Sequence, residues 1–364
     1  MKKIATLTFH NTTNYGAILQ TYALQRAIEK LGYDTEVIDY QCEAVNNRYK
    51  IIKISDVKNA KELLKIILGN RNKKKLKEKF DSFTNKYIKI SDKKYTKETI
   101  HNSNSIYNKF VVGSDQVWNL SLSGNDFTYF LDFVTDNNKK YSYAASFGSQ
   151  DISDNYKDTI AKTINEFYGI CVREEQGKEI VKRITNREAD ITLDPTLLIK
   201  QKEWKEIMPN MIKNKKYILL YIIAPNNNII KFAKEIAKKN KCEIIYINHS
   251  LKNVVGVKNI KCASPEEFLW YIENAEYIIT TSFHGVAFSI NFKKKFFYAL
   301  SDERENYNSR IENLVNKLDL TNRNIKDYNQ VNDDIDYIKV HNLLDIEKEK
   351  SLNYLKEMLN NDNM

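Results

Sequence analysis

Glycine and proline are scarce in this sequence, with 10 glycines and 4 prolines among 364 residues. Disordered and low-complexity segments are usually rich in one or both of these residues, so long segments of that kind are not expected. Hydrophobic residues make up 42% of the chain and aromatic residues 12%, which is enough for two buried cores. The length therefore predicts two domains of ordinary size.

Cysteine is also scarce, and Cys42, Cys171, Cys242 and Cys262 show neither CxxC spacing nor a zinc pattern with the five histidines. The apolar surroundings of Cys171 and Cys242 predict buried thiols, which fit a reducing compartment. No apolar run approaches the roughly 20 residues of a membrane-spanning helix, and polar residues follow the first strand too soon for a signal peptide. We therefore expect a cytoplasmic protein without a metal site.

Negative charge is in the minority, because 57 Lys and Arg residues outnumber 47 Asp and Glu residues and leave a formal net charge of +10. Such an excess suits nucleic acid, an anionic membrane face or a phosphorylated small molecule. No nucleic-acid-reading motif is found, so a nucleic-acid partner is not expected. The lysine-rich run at 71–77 is typical of a solvated helix face. Peripheral contact with the inner face of an anionic membrane is the less favoured alternative.

Short β-rich runs alternate with longer amphipathic segments, which predicts an α/β fold of parallel sheets with crossover helices. We expect one doubly wound domain at 1–198, with a helical insertion at about 45–105 packed on it, and a second at 199–335. A C-terminal helix at 336–364 is long enough to reach back over the first domain. Because ligands bind beyond the carboxyl ends of parallel strands, two such domains predict a site in a cleft between them.

The first polar segment after a predicted strand is Asn14-Tyr15-Gly16, which leads into a helix. Gly16 lets the backbone approach a ligand, and the helix start offers amide hydrogens. The alternative is an ordinary turn and helix cap.

The second segment, at 113–118, follows the predicted strand Phe110-Val111-Val112. Its polar residues and Trp118 suit hydrogen bonding to a sugar and stacking on it, which makes Ser114, Asp115, Gln116 and Trp118 candidates. The alternative is that Ser114 or Asp115 caps the next helix.

The third site combines 144–148 with Val172-Arg173-Glu174-Glu175. Small residues, including Ser146 and Gly148, would give a ligand room. Arg173 ends an apolar strand and suits bidentate recognition of a carboxylate or phosphate. The alternative is a structural ion pair of Arg173 with Glu174 or Glu175.

The fourth segment, at 280–285, lies between a predicted strand and a predicted helix. Ser282 is placed to be the N-cap, which puts His284 in the first turn, where the helix dipole and the amides attract an anion. Phe283 and Gly285 complete this candidate site.

Six segments in this order resemble the polysaccharide pyruvyl transferase family, and the resemblance covers roughly residues 4–320. They lie at 14–20, 113–118, 145–148, 172–174, 194–196 and 282–285. The resemblance implies two Rossmann-like domains facing a cleft, similar to B-type glycosyltransferases. It also implies transfer of a pyruvyl group from phosphoenolpyruvate to two hydroxyls of a sugar, which forms a cyclic ketal and releases phosphate.

In this family a histidine and an arginine face the donor, and the matching positions here are His284 and Arg173. Phosphoenolpyruvate would be a co-substrate, with no further cofactor, and the acceptor a glycan or lipid-linked sugar of the cell envelope. The chain has Ser282 where several members carry an arginine, and Arg310 is a candidate to replace that cation.

These residues suggest His284 as phosphate clamp and acid, and Asp115 as base or acceptor-orienting group. Two other functions remain open from the sequence: a nucleotide-sugar-dependent B-type glycosyltransferase, and a glycan-binding protein without catalysis.

Overall fold

The computed structural model describes residues 2–48, 60–149, 151–303, 308–330 and 334–360. Contacts divide the chain into two compact units. The first unit takes in the residues up to Arg48, then Thr84–Ile199, and the chain from His341 onward. The second unit takes in 60–83 among the described residues, and Lys200–Val340. The change of unit after Ile199 lies one residue from the boundary expected from the sequence.

The first unit is built on parallel strands. They are β1 (Lys3–Leu7), β2 (Asp34–Tyr40), β3 (Ile90–Tyr95), β4 (Lys109–Val112) and β5 (Lys140–Ser142), with a separate pair, β6 (Cys171–Val172) and β7 (Asp190–Ile191). The sheet order is β3-β2-β1-β4-β5. The helices up to this point are α1 (Tyr15–Lys30), α2 (Glu43–Arg48), α3 (Ala60–Tyr87), α4 (Leu120–Ser123), α5 (Asp154–Asn165) and α6 (Glu175–Thr185).

The second unit repeats this architecture. Its strands are β8 (Tyr217–Tyr221), β9 (Glu243–Ile247), β10 (Lys258–Ile260), β11 (Tyr277–Thr280) and β12 (Lys295–Tyr298), in the order β10-β9-β8-β11-β12. Its helices are α7 (Gln201–Glu206), α8 (Ile229–Lys239), α9 (Pro265–Asn274), α10 (Phe283–Asn291) and α11 (Asn308–Lys317). The last helix, α12 (Tyr337–Asn360), begins in the second unit and continues in the first from His341.

Local sequence explains these elements. All five residues of β8 and all four of β11 are buried, as expected for parallel strands covered on both faces. Helix α1 is capped by Asn14, whose Oδ1 accepts from the amides of Gly16 and Ala17 at 2.9 and 3.3 Å. It ends before Gly32, whose φ of 88° is the left-handed conformation that commonly follows a helix.

Each sheet reverses its strand order at one point, between β1 and β4 in the first unit and between β8 and β11 in the second. In each sheet, the loops that follow the two strands at this point diverge to opposite faces of the sheet, and they open a crevice at its carboxyl edge. The expected doubly wound α/β class is therefore confirmed, and each unit has one such crevice.

The helical insertion expected at about 45–105 on the first domain was wrong in two respects. Residues of α3 up to Phe83 belong to the second unit, where Lys79 Nζ pairs with Glu267 Oε2 at 2.6 Å. The chain after α3 supplies β3, which pairs with β2 at the edge of the first sheet. Three charged residues of β3 are exposed, a common device on edge strands that hides their β character in the sequence.

The C-terminal helix reaches back onto the first unit as residues 341–360 of α12. Lys109 Nζ donates to the carbonyls of Met358 and Leu359 at 2.6 and 3.1 Å, and Ser351 Oγ accepts from the Leu193 amide at 2.9 Å. Within the described part of the chain, no helix is both long and apolar enough to cross a membrane.

Candidate functional site

The start of α10 lies at the crevice of the second sheet. Ser282 is the N-cap, as the sequence predicted, and its Oγ accepts from the Gly285 amide at 3.3 Å. The Ser282 amide donates to Thr280 Oγ1 at 3.0 Å, and that hydroxyl donates to the Tyr221 carbonyl at the end of β8 at 2.7 Å. The turn after β11 is therefore fixed to the strand on the other side of the crevice.

Gly285 is required by close packing within this turn. A Cβ placed at Gly285 would lie 2.3 Å from Thr280 Oγ1 and 2.9 Å from Thr280 Cβ. Because real side chains do not approach so closely, any larger residue would displace either the hydroxyl or the first turn of α10.

His284 stands in the first turn of α10 and is 7% exposed. Its imidazole packs edge-on against the Phe283 ring, with centroids 5.1 Å apart. The first amides of a helix lack intrahelical acceptors and lie at the positive end of the dipole. An imidazole beside that helix start suits an anionic group such as phosphate.

Arg310 also belongs to the second unit. It lies on α11, a helix that packs against α10, and it is 6% exposed. Its role as a replacement for the cation absent at Ser282 stays a prediction.

In the first unit, Arg173 is the centre of a buried ionic cluster. Its Nη1 donates to Asp194 Oδ2 at 2.9 Å, and the guanidinium lies 3.5 Å from Asp115 Oδ1 and 3.6 Å from Glu174 Oε2. Burial acts to lower the pKa of Arg173, but the three carboxylates outweigh it and raise the pKa above its usual value. The structural ion pair weighed from the sequence is therefore present, with Asp194 as an additional, closer partner.

Asp115 is the most accessible carboxylate of this cluster, with its side chain 11% exposed against 4% for Glu174 and 0% for Asp194. Its backbone is left-handed, with φ of 73°. Neither Ser114 nor Asp115 caps a helix, since α4 has Asn119 as its N-cap.

Ser114 is held from two sides. Its amide donates to Gln20 Oε1 at 3.0 Å, and its Oγ lies 2.9 Å from the Ala144 carbonyl and 3.2 Å from Asp194 Oδ2. These bonds link the segment after β4 to α1 and to the residues after β5, so the backbone beside Asp115 is tightly constrained.

The small residues after β5 do not leave the expected room for a ligand at Gly148. Ser146 Oγ donates to Glu174 Oε1 at 2.6 Å and accepts from the Gly148 amide at 3.1 Å. A Cβ at Gly148 would lie 2.0 Å from Gln116 Oε1, so the side chain of Gln116 occupies that space.

Stacking of Trp118 on a sugar was a wrong prediction. Trp118 is 2% exposed, lies parallel to the Phe130 ring with centroids 5.7 Å apart, and donates its indole N–H to the Tyr129 carbonyl at 3.1 Å. Tyr15 is likewise a core residue, 1% exposed. Beside it, Asn14 is exposed and caps α1 through the Gly16 amide, which is the ordinary turn considered from the sequence.

Residues 14–303 match the family model for polysaccharide pyruvyl transferase. This chain belongs to the polysaccharide pyruvyl transferase family. The match spans the Ser282–Gly285 turn and the Arg173 cluster, and it confirms the resemblance drawn from the six segments. Among curated proteins, none matches the chain in sequence.

Several solved structures are similar to this pyruvyl transferase family member over most of its length. A Listeria monocytogenes protein described as a UDP-N-acetylglucosamine 2-epimerase is 13% identical, with a TM-score of 0.50, covering 100% of this chain and 98% of its own. A Neisseria meningitidis UDP-GlcNAc 2-epimerase bound to UDP-GlcNAc is 12% identical, covering 97% and 100%, with a TM-score of 0.44. A Streptomyces glycosyltransferase complexed with thymidine diphosphate is 8% identical and has a TM-score of 0.37, and the match covers 99% of each chain.

Sequence reasoning missed Asp194 as a site residue, although the segment 194–196 contributed to the resemblance. Asp194 Oδ1 accepts from the amide and the hydroxyl of Thr196 at 3.0 and 2.7 Å, while Oδ2 faces Arg173. An acidic residue just before Pro195 is a common cap, and that pattern concealed its partnership with an arginine 21 residues away.

Proposed function

We propose that this protein transfers a pyruvyl group from phosphoenolpyruvate to two hydroxyls of one sugar in a cell-surface polysaccharide or its precursor. The product would be a cyclic ketal, and inorganic phosphate would leave. Family membership supports the transfer, and the observation that carries the donor assignment is the helix start at Ser282–Gly285 with His284 in its first turn.

The donor needs an anion-binding site, because phosphoenolpyruvate carries about three negative charges near neutral pH. In this proposal the phosphate lies at the start of α10, where the amides and the positive end of the dipole favour it. His284 holds the phosphate from the first turn, and Arg310 on the adjoining helix supplies a further cation. The net charge of +10 would favour the approach of the donor.

The chemistry begins with a proton added to the methylene carbon of the donor, which leaves a cationic centre at C2. One sugar hydroxyl bonds to C2 and loses its proton, and the C2–oxygen bond to phosphate then breaks. The second hydroxyl closes the ketal and loses its proton as well. The two hydroxyl protons balance the one placed on the methyl carbon and the one carried by phosphate.

Two residues are proposed for the proton transfers. His284 would deliver the proton to the methylene carbon, while Asp115 would accept a hydroxyl proton or orient the acceptor. Arg173 is then not a donor ligand but a positioning residue, because its guanidinium is surrounded by three carboxylates, one of which is Asp115.

The direct test incubates the purified chain with phosphoenolpyruvate and a panel of free and lipid-linked glycans, without added metal. We expect acceptor-dependent phosphate release and a new ketal methyl signal in the proton NMR spectrum of the glycan. Phosphate release without a ketal would mean simple hydrolysis and would contradict the proposal.

A nucleotide-sugar glycosyltransferase is the second candidate, because the fold shared with the Listeria protein, itself described as a UDP-N-acetylglucosamine 2-epimerase, does not by itself select phosphoenolpyruvate as the donor. Parallel incubations replace phosphoenolpyruvate with nucleotide-sugars, and nucleotide release is measured. Turnover of a nucleotide-sugar alone would replace the pyruvyl assignment. Glycan binding without turnover of any donor would identify a non-catalytic glycan-binding protein.

A further inference from the structure

Positive charge is concentrated in one part of the second unit. Residues 222–265 contain eight lysines and two glutamates, so this stretch holds +6 of the chain's net charge of +10. From 244 to 264 there is no acidic residue, although Lys252, Lys258 and Lys261 lie there. This stretch includes α8, β9 and β10, which share one side of the second sheet.

Three shallow grooves join four of these lysines and five lysines from outside this stretch into one surface. The first runs along α8, and it shares Lys234 with a second groove of about 630 Å3 between α8 and the start of β10. The second shares Cys242 with a third groove of about 450 Å3, near the starts of β8, β11 and β12. We call this surface the basic face; its lysines are Lys213, Lys216, Lys231, Lys234, Lys238, Lys258, Lys293, Lys294 and Lys295.

The acidic residues of the basic face do not cancel its charge. Glu235, Glu243, Glu273 and Glu276 are the four glutamates that line the same grooves, against nine lysines. Lys213 Nζ pairs with Glu276 Oε1 at 2.7 Å, which neutralises one lysine. Even if all four glutamates are counted against the nine lysines, five lysines remain in excess. The surface therefore retains a positive field that suits a phosphate-bearing partner.

An exposed apolar tip lies next to these lysines. Val255 is 85% exposed and Leu251 is 47% exposed, both in the loop between β9 and β10. Val255 immediately precedes Gly256 and Val257, which line the second groove beside Lys234 and Lys258. A soluble polyanion would gain nothing from this apolar tip, whereas a bilayer interface accepts apolar side chains flanked by lysines.

We infer that the basic face, with Val255 at its tip, docks this protein on an anionic lipid bilayer. Lysines near a membrane surface each favour binding to anionic lipid, and the apolar tip enters the boundary between headgroups and acyl chains. Much of the basic face lies at the starts of β8, β9, β11 and β12, whereas α10 begins at the opposite, carboxyl edge of that sheet. Docking would therefore leave the Ser282–Gly285 turn uncovered.

The test is flotation of the full-length protein with phosphatidylcholine vesicles, with and without phosphatidylglycerol. We expect flotation only with phosphatidylglycerol, and weaker flotation at high salt. Replacing Lys231, Lys234 and Lys258 by Gln should lower the partition coefficient by on the order of 10²-fold. The matched control replaces three exposed lysines of the first unit, Lys93, Lys97 and Lys157, by Gln, and it should change partition much less.

Val255→Ser separates a bilayer from a soluble polyanion. This variant should float less well than the unmodified protein while binding polyphosphate equally well. Unchanged flotation of Val255→Ser, equal losses in the two lysine triple variants, or no flotation of the unmodified protein would each overturn the inference. Circular dichroism and turnover with a soluble acceptor, which should be unchanged in every variant, show that a loss does not reflect misfolding.

Discussion

Arg173 and Asp194 form a buried ion pair in the first unit, with 2.9 Å between Nη1 and Oδ2 and side chains that are 2% and 0% exposed. The same guanidinium lies within 3.6 Å of both Asp115 and Glu174. One cation therefore stabilises three carboxylates that meet beyond the ends of β4, β6 and β7. An arginine so occupied is better suited to hold a carboxylate in place than to bind a substrate.

Removal of this cation should destabilise the fold. Arg173→Met would leave Asp194 and Glu174 buried without their cation, and breaking a buried pair in this way costs about 3–5 kcal/mol of unfolding free energy. Urea denaturation measures the loss. The control is Arg183→Met, whose partner Asp151 is 72% exposed, and its cost should stay below about 1 kcal/mol.

Steady-state kinetics of Arg173→Lys then separate positioning from donor binding. If Arg173 holds Asp115, this variant should lower kcat while the KM for phosphoenolpyruvate changes little. A rise of that KM with an unchanged kcat would show instead that Arg173 binds the donor.

His284→Gln should lower kcat by on the order of 10²-fold or more, the usual contribution of a positioned general acid. Gln preserves a polar side chain in the first turn of α10, so the fold should be retained. His101→Gln is the matched control, since His101 is exposed in the first unit and should leave turnover unchanged. A loss below about fivefold in His284→Gln, with an unaltered melting temperature, would remove His284 from the mechanism.

Gly285→Ala should disrupt donor binding through the backbone. The added methyl would lie 2.3 Å from Thr280 Oγ1, so it must break the hydroxyl's bond to the Tyr221 carbonyl or shift the first turn of α10. We expect a large rise in the dissociation constant for phosphoenolpyruvate, measured by calorimetry. Gly69→Ala is the control: its methyl meets Leu251 at 3.4 Å, an ordinary contact, and its donor affinity should be normal. Normal donor affinity in both variants would show that the Ser282–Gly285 turn is not part of the donor site.

The local patterns of the sequence predicted the second-unit turn well. A strand followed by Ser282 and Gly285 predicts a cap and a first turn because these interactions span three residues, and the structure has both. The partners of Arg173 were harder to predict, because Asp115 and Asp194 reach it only through the tertiary arrangement of strand ends.

The predictions for Trp118 and for the segment that forms β3 were wrong for related reasons. An indole after a polar loop gives no local signal of whether it faces a ligand or the core, and here Phe130, Phe147 and Phe167 surround it. Strand β3 carries three exposed charges in six residues, so its sequence lacks the apolar run by which buried strands are recognised.

Lys109→Met should loosen the C-terminal helix. Lys109 is 5% exposed and donates from its ammonium group to the last carbonyls of α12, where the negative end of the helix dipole stabilises a positive charge. Loss of these charge-assisted bonds should cost about 1.5–3 kcal/mol, measured by urea denaturation, and should speed proteolysis near the C-terminus. Lys350→Met, an exposed position on the same helix, should change neither. Equal effects of the two substitutions would contradict a specific tether at Lys109.

Two cysteines, Cys171 in β6 and Cys242 just before β9, should differ in the reactivity of their thiols. Burial raises the pKa of Cys171 to about 12, so at pH 8 only about 10⁻⁴ of this thiol is the reactive thiolate. The pKa of Cys242 is also raised by burial, but its side chain is half-buried at the lysine-lined grooves, where the charges of Lys216 and Lys213 act to lower it. The expectation that both would be buried thiols holds only for Cys171.

Iodoacetamide labelling followed by peptide mass spectrometry tests this difference. At pH 8 Cys242 should be alkylated well before Cys171, and in urea both should react at similar rates. The raised pKa of Cys171 also makes the free energy of unfolding depend on pH. The unfolded thiol ionises near pH 9, whereas folded Cys171 stays protonated until about pH 12. Stability contributed by this group is therefore complete below pH 9 and declines between pH 9 and 12, and Cys171→Ala should reduce that decline. Alkylation of native Cys171 as fast as Cys242 would show that β6 opens readily and that the Arg173 cluster beside it is not rigid.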